Sequence, residues 1–197
     1  MPTLIKTISF KNFYNYYGSF ENNRYYFKEG INIINADNNM GKSKFFNGIL
    51  WILKNIIYDS DLKRMVNASS SFNKMASGKA LNEELYFEMG VQITFSENED
   101  KYSVTKIVEF SKVENNWKTN ERLTIIQTID NKDIPILDQA DKDKIIQKII
   151  PVELINYALL QGETMEQIVD LSSHNGLSST IEALAGIKNL IEICDIS

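Results

Sequence analysis

The segment from Ile31 to Ser43 contains the residues whose types and spacing are most typical of a chemical function. Ala36 is followed by four residues and then by Gly41, Lys42 and Ser43, which is the phosphate-loop pattern with alanine in place of the first glycine. A glycine lets the backbone approach an anion closely, and the N-terminus of a following helix adds partial positive charge. This spacing predicts a turn that binds the phosphate groups of a nucleotide.

Each role in this turn follows from the chemistry of a side chain. Lys42 is predicted to place its charge on the β- and γ-phosphates, and the hydroxyl of Ser43 to complete the coordination shell of Mg²⁺. The methyl group of Ala36 requires a backbone conformation with negative φ at that position. ATP and Mg²⁺ are therefore the expected ligands. The alternative interpretation is an accidental Gly-Lys-Ser turn that binds nothing.

Two elements must position this turn. The β-branched run of Ile31, Ile33 and Ile34 predicts a short buried strand before it. Residues 44–57 are apolar over most of a helical circumference, which predicts a largely buried helix after it, with Trp51 in the core.

The remaining regular patterns predict an antiparallel sheet. Residues 3–13 alternate in polarity and predict an opening strand, and residues 24–27 predict a second. Apolar side chains occupy every second position from 85 to 95, and residues 102–110 and 123–129 follow as strands. Three sequential antiparallel strands with one solvated face are expected.

Outside these segments the pattern is weaker. Residues 58–82 are polar and serine-rich without a period, which predicts a long surface excursion. Its basic residues favour a solvated face over a DNA-binding surface; they are Lys63, Arg64, Lys74 and Lys79. A turn is expected around Pro135, then a helix over 138–150 that ends before Pro151, and a last helix from 180 to about 193.

The composition limits the classes of function. The 197 residues are 43% hydrophobic, so a core is available. The formal net charge of −5 disfavours a whole-surface polyanion binder and leaves a local basic patch open. One cysteine (Cys194) and one histidine (His174) leave no internal disulfide and no Cys- or His-rich metal site. No apolar stretch approaches the length of a membrane span, so we expect a cytoplasmic protein with no membrane partner.

Three segments resemble the ABC-type ATPase heads of the SMC, RecF and RecN-like families. NADNNMGKS at 35–43, with Asn38 third in the loop, is similar to their GxNGxGKS motif. LIKTISFKNFYNY at 4–16 resembles their opening strand, with the -NF- signature at Asn12 and Phe13. LINYALLQGETMEQI at 154–168 resembles their Q-loop region and places Gln161 at its glutamine. Among subgroups, the sequence is most similar to bacterial genome-defence SMC-like ATPases of the sulfur-modification or Lamassu type.

This resemblance implies an α/β fold of the P-loop NTPase class. The expected architecture is the N-terminal half of an ABC-type head over 1–165, with an antiparallel β lobe, a phosphate-loop helix and a Q-loop. A helical segment over 166–197 then leads toward a coiled coil. In such a head Lys42 and Gln161 are catalytic, and Ser43 and Gln161 hold Mg²⁺. The expected nucleotide-binding residues are Asn12, Asn38, Asn39, Met40, Gly41, Lys42, Ser43 and Lys44.

The resemblance also implies partners. A Walker B strand ends in Asp-Glu, whereas the nearest candidate at 134–139 contains Pro135, and its Asp138 is followed by Gln139. Hydrolysis is therefore expected only when a C-terminal half-head, on the same or a separate chain, completes the site. The other expected partners are a second head in an ATP-sandwiched dimer, DNA, and accessory repair or antiphage-defence proteins.

Two alternatives stay open from the sequence. One is a non-catalytic interaction module that binds a nucleotide only as a ligand. The other is a small stand-alone P-loop kinase, which would need its own Walker B aspartate and an arginine-rich lid. The chain offers only Arg24, Arg64 and Arg122 for such a lid.

Overall fold

The computed structural model of the chain describes residues 3–30, 32–35 and 41–150. The strands are β1 (Leu4–Lys11), β2 (Arg24–Tyr26), β3 (Ile56–Asp59), β4 (Arg64–Asn67), β5 (Tyr86–Glu97), β6 (Asp100–Val113), β7 (Asn116–Ile129) and β8 (Lys132–Ile136). The helices are α1 (Lys42–Lys54), α2 (Phe72–Met75), α3 (Gly78–Glu83) and α4 (Gln139–Ile149), with a 3₁₀ turn at Ala68–Ser70.

Six of the strands form one antiparallel sheet in the order β2-β1-β5-β6-β7-β8. The three sequential antiparallel strands predicted from the alternating pattern are β5, β6 and β7, so that prediction is confirmed. The apolar side chains of β5 from Phe87 to Phe95 are buried at every second position, as alternation requires. Leu85 departs from the pattern because it precedes the strand, and it is exposed.

Helix α1 packs against this sheet through one closely fitted contact. A Cβ atom on Gly48 would lie 2.5 Å from the ring of Phe10 on β1, so only glycine lets the helix approach this closely. Trp51 is fully buried, as predicted, and stacks on Phe13 at a centroid distance of 5.8 Å. The helix starts at Lys42, two residues before the predicted 44–57. It also ends earlier than predicted, at Lys54, because Ile56 and Ile57 belong to β3.

The prediction of a surface excursion over 58–82 was wrong. The hairpin of β3 and β4 begins at Ile56 and extends into this region, and the 3₁₀ turn, α2 and α3 follow it. Phe72, Met75 and Ala80 are buried, although their spacing follows no single helical or strand period. Short elements bury single apolar residues against the rest of the fold, which a search for periodicity does not detect.

The predicted buried strand before the phosphate loop was also wrong. Ile31 lies outside the described residues, and residues 32–35 form no strand. Ile33 is 85% exposed and Ile34 39% exposed. A buried parallel strand needs hydrogen-bonded neighbours on both sides, and within the described parts of the chain no strand pairs with residues 32–35.

The region after β7 differs from expectation at one proline. Pro135 lies in β8 opposite Ile126 rather than in a turn. β8 is the edge of the sheet among the described strands, which is the kind of strand in which proline is tolerated. The helix predicted over 138–150 is confirmed as α4. The last predicted helix and the 165/166 domain boundary lie outside the described residues.

Candidate nucleotide-binding site

Gly41 forms the N-cap of α1, and Lys42 and Ser43 are its first two helical residues. The φ angle of Gly41 is 96°, a left-handed conformation that a glycine adopts without strain. Its carbonyl oxygen accepts the N–H of Phe45 at 2.9 Å, the first hydrogen bond of the helix. The side chains of Lys42 and Ser43 are exposed. The predicted transition from the glycine into a helix is therefore confirmed.

The charges at this helix terminus favour an anion. The positive end of a helix dipole usually has acidic residues or a capping side chain nearby. The first turn of α1 has no acidic residue, and Gly41 provides no side-chain cap. This first turn carries Lys42 and Lys44 instead. Two lysines at a positively polarised terminus make the electrostatic potential attractive to phosphate.

The loop at 12–17, here called the tyrosine loop, follows β1 and contacts the start of α1. The hydroxyl of Tyr16 donates a buried hydrogen bond of 3.0 Å to the carbonyl oxygen of Gly41. The ammonium group of Lys44 lies 4.6 Å from the centroid of the Tyr14 ring. Burial, and then the neighbouring Tyr25, raise the pKa of Tyr16 far above its usual range, so its hydroxyl remains a donor at any physiological pH.

Asn12, a predicted nucleotide-binding residue, anchors the tyrosine loop. Its Oδ1 atom accepts the N–H of Gly18 at 2.9 Å, and its Nδ2 atom donates to the carbonyl oxygen of Glu88 at 3.0 Å. The residue is buried and has a φ angle of 46°. These two hydrogen bonds show that the Asn12 side chain holds the loop in place.

The structure brings together Gly41, Lys42, Ser43 and Lys44 among the predicted site residues. The other members of the phosphate-loop pattern, including Asn38, Asn39 and Met40, lie outside the described residues. Gln161 also lies outside them, as do His174 and Cys194.

Lys106, which the sequence analysis did not select, holds the other end of α1. Its Nζ atom lies 3.2 Å from the carbonyl oxygen of Trp51, 2.9 Å from Oδ1 of Asn55 and 3.1 Å from Oε1 of Glu121. Burial lowers the pKa of Lys106, and Glu121 opposes this shift. A signal was present in the sequence, because Lys106 interrupts the apolar face that Tyr102, Val104, Val108 and Phe110 form on β6.

A cavity of about 310 Å³ lies beside the first turn of α1. Tyr14 and Lys44 line it, together with Asp59, Asp61 and Lys74. The ammonium group of Lys74 pairs with Asp59 at 3.0 Å and with Asp61 at 3.2 Å. The hydrogen bond from Lys74 is the main cause that lowers the pKa of Asp59. Lys74, which was predicted to be a scattered surface cation, therefore has two defined carboxylate partners in this cavity.

Comparison with protein-family models gives no match for this chain, and comparison with curated proteins gives none either. Within residues 3–30, 32–35 and 41–150, no group of three or more His, Cys, Asp or Glu side chains could hold a metal ion. None of the helices in that part of the chain is long and apolar enough to cross a membrane.

Proposed function

We propose that this chain binds ATP with Mg²⁺ through the turn at 36–43, as the N-terminal half of an SMC-like ABC-type ATPase. The observation that carries the proposal is the start of α1. Gly41, Lys42 and Ser43 follow the phosphate-loop spacing from Ala36, and they begin a helix whose first turn has two lysines and no acid. A helix terminus of this kind binds anions, and the lysine and hydroxyl are the groups that a nucleotide–Mg²⁺ complex requires.

The residues present fit this ligand. The exposed ammonium group of Lys42 would contact the β- and γ-phosphates, and the exposed hydroxyl of Ser43 would coordinate Mg²⁺. By resemblance, Gln161 would be a second protein ligand of the metal ion. When bound, Mg²⁺ neutralises phosphate charge and polarises the phosphoryl oxygens.

The assembly proposed here rests on the family resemblance. ATP is held between two heads, and the second head supplies its signature motif. Nucleotide binding closes the heads and hydrolysis reopens them, which moves the coiled coils and the DNA that they hold. The residues needed to activate water come from a C-terminal half-head, because the sequence contains no apolar run followed by Asp-Glu. Genome maintenance and antiphage defence are the two settings in which such a machine operates.

The test is a competition titration with a fluorescent ATP analogue and Mg²⁺. If the phosphates provide most of the affinity, unlabelled ATP and inorganic tripolyphosphate should both displace the analogue. Adenosine, which has no phosphate, should not displace it at the same concentration. The absence of any binding, or displacement by adenosine as strong as by ATP, would overturn the proposal.

A turnover assay then separates the proposed ATPase from the non-catalytic module. The chain alone should hydrolyse ATP very slowly, and a C-terminal half-head that carries a Walker B Asp-Glu should raise the rate. Binding without any gain in turnover when that half is added would favour the interaction module.

A further inference from the structure

We propose that Tyr16 is a positioning residue for the phosphate-binding turn. Its hydroxyl holds the carbonyl group of Gly41 and thereby sets the direction of the backbone that follows. This inference rests on the proposed nucleotide binding at the start of α1, and it assigns a role to a residue outside the phosphate-loop pattern.

The argument begins with the conformational freedom of Gly41. A glycine populates positive and negative φ angles about equally, so an anion-binding turn that enters its helix through a glycine needs a second constraint. The carbonyl oxygen of Gly41 receives two hydrogen bonds, from the N–H of Phe45 at 2.9 Å and from the hydroxyl of Tyr16 at 3.0 Å. The first forms in any helix that starts here, whereas the second comes from outside the helix.

The planar peptide bond converts this contact into an orientation. In a trans peptide, the C=O of one residue and the N–H of the next point in opposite directions. A carbonyl of Gly41 that is held toward Tyr16 therefore directs the N–H of Lys42 away from Tyr16. The N–H of Lys42 is one of the backbone donors that a phosphate-binding turn points at its ligand. Rotation of the Gly41–Lys42 peptide plane would turn this N–H away from the phosphate.

Tyr16 is itself held rigidly enough to act as a constraint. Its ring is buried and stacks on Phe10 at a centroid distance of 4.4 Å. Its backbone exchanges two hydrogen bonds with Phe13, of 3.0 and 2.8 Å. The N–H of Tyr14 donates to the carbonyl oxygen of Met75 at 2.6 Å, which ties the same loop to α2. The hydroxyl therefore reaches Gly41 from a fixed position.

The test is Tyr16→Phe, which removes the hydroxyl and keeps the ring. The affinities for ATP with Mg²⁺ and for tripolyphosphate should both fall roughly 5–10-fold, the effect of losing one hydrogen bond. The matched control is Tyr102→Phe. Tyr102 is similarly buried, and its oxygen accepts a hydrogen bond of 3.1 Å from Gln127 on the neighbouring strand. The control should lose thermal stability to a comparable extent and keep wild-type affinity for both ligands.

Three results are informative. Unchanged affinities in Tyr16→Phe, with wild-type protein that binds both ligands, would overturn the positioning role and leave the nucleotide site in place. An equal loss of affinity in Tyr102→Phe would also overturn it, because reduced stability would then be the cause. If wild-type protein binds neither ATP nor tripolyphosphate, the proposed function fails and the positioning role fails with it.

Discussion

The ammonium group of Lys106 lies 3.2 Å from the carbonyl oxygen of Trp51, so a buried cation from β6 sits at the C-terminal end of α1. A cation there opposes the negative end of the helix dipole. At the other end, the hydroxyl of Tyr16 holds the carbonyl of Gly41. The helix that begins with the candidate phosphate-binding residues is thus held by polar contacts at both ends, to the tyrosine loop at its start and to β6 at its end.

Replacing the lysine by methionine tests the first of these attachments. Lys106→Met keeps most of the side-chain volume but removes the hydrogen bonds to Trp51 and Asn55 and the ion pair with Glu121. The free energy of unfolding should fall by about 1–3 kcal/mol in urea denaturation. Lys101→Met, on the same strand at an exposed position, is the control and should change it by less than about 0.5 kcal/mol. Equal stability of the two variants would show that Lys106 contributes nothing to holding α1.

Gly41→Ala tests the left-handed conformation at the start of α1. The φ angle of 96° is strained for any L side chain, and the added Cβ atom would lie 3.2 Å from the hydroxyl oxygen of Tyr16. We expect a loss of about 1–2 kcal/mol in unfolding free energy. Gly78→Ala is the matched control, because its Cβ would meet no atom within 4 Å. A Gly41→Ala protein as stable as the control would contradict the conformation described here.

Gly48→Ala tests the close contact between helix and sheet. Alanine in a helix interior is normally more favourable than glycine by roughly 1 kcal/mol. Here the new methyl group would lie 2.5 Å from the fully buried ring of Phe10 and 3.3 Å from Phe13. Overpacking should outweigh the gain in helix propensity, with a net loss of about 1–3 kcal/mol measured by thermal or urea unfolding. A stabilised variant would mean that α1 does not approach β1 so closely.

Tyr14 predicts a pH dependence of stability. Burial is the main cause that raises its pKa from an ordinary 10.0 to about 12. Above pH 10.0 the unfolded chain loses this proton while the folded chain keeps it, so stability that is fully present below pH 10.0 declines as the pH approaches 12. The unfolding free energy of Tyr14→Phe should decline less steeply than that of the wild type over this interval. The same variant compared at neutral pH provides the baseline, and identical slopes would contradict the prediction.

The parts of the fold that could be predicted are those in which local pattern and tertiary environment agree. The strands β5, β6 and β7 bury one face, so their side chains alternate. Helix α1 buries eight of its 13 residues, so it is apolar over most of its circumference. The hairpin of β3 and β4 could not be predicted. It depends on Asn47, whose buried amide pairs with both the N–H and the carbonyl of Tyr58.

The candidate site could likewise be predicted only in part. The glycine, lysine and serine at 41–43 follow a spacing with a physical rationale, and the structure places them at a helix terminus as that rationale requires. The partners of Tyr16 and Lys106 could not be found from spacing, because they lie 25 and 55 residues away along the chain. Lys106 itself is visible only as an interruption of the apolar face of β6. The exposed run at 32–35 shows the opposite error, in which β-branched residues indicate a strand that has no pairing partner among the described residues.

The measurement that tests the central claim most directly is the affinity of Lys42→Ala for ATP with Mg²⁺, by calorimetric titration. Removal of the charge that we propose contacts the β- and γ-phosphates should weaken binding by roughly 10–100-fold, the range expected for a hydrogen bond to a charged group. Lys118→Ala removes an exposed lysine from β7 and should bind as the wild type does. An affinity of Lys42→Ala equal to that of the wild type would contradict the assignment of residues 36–43 as a phosphate-binding turn.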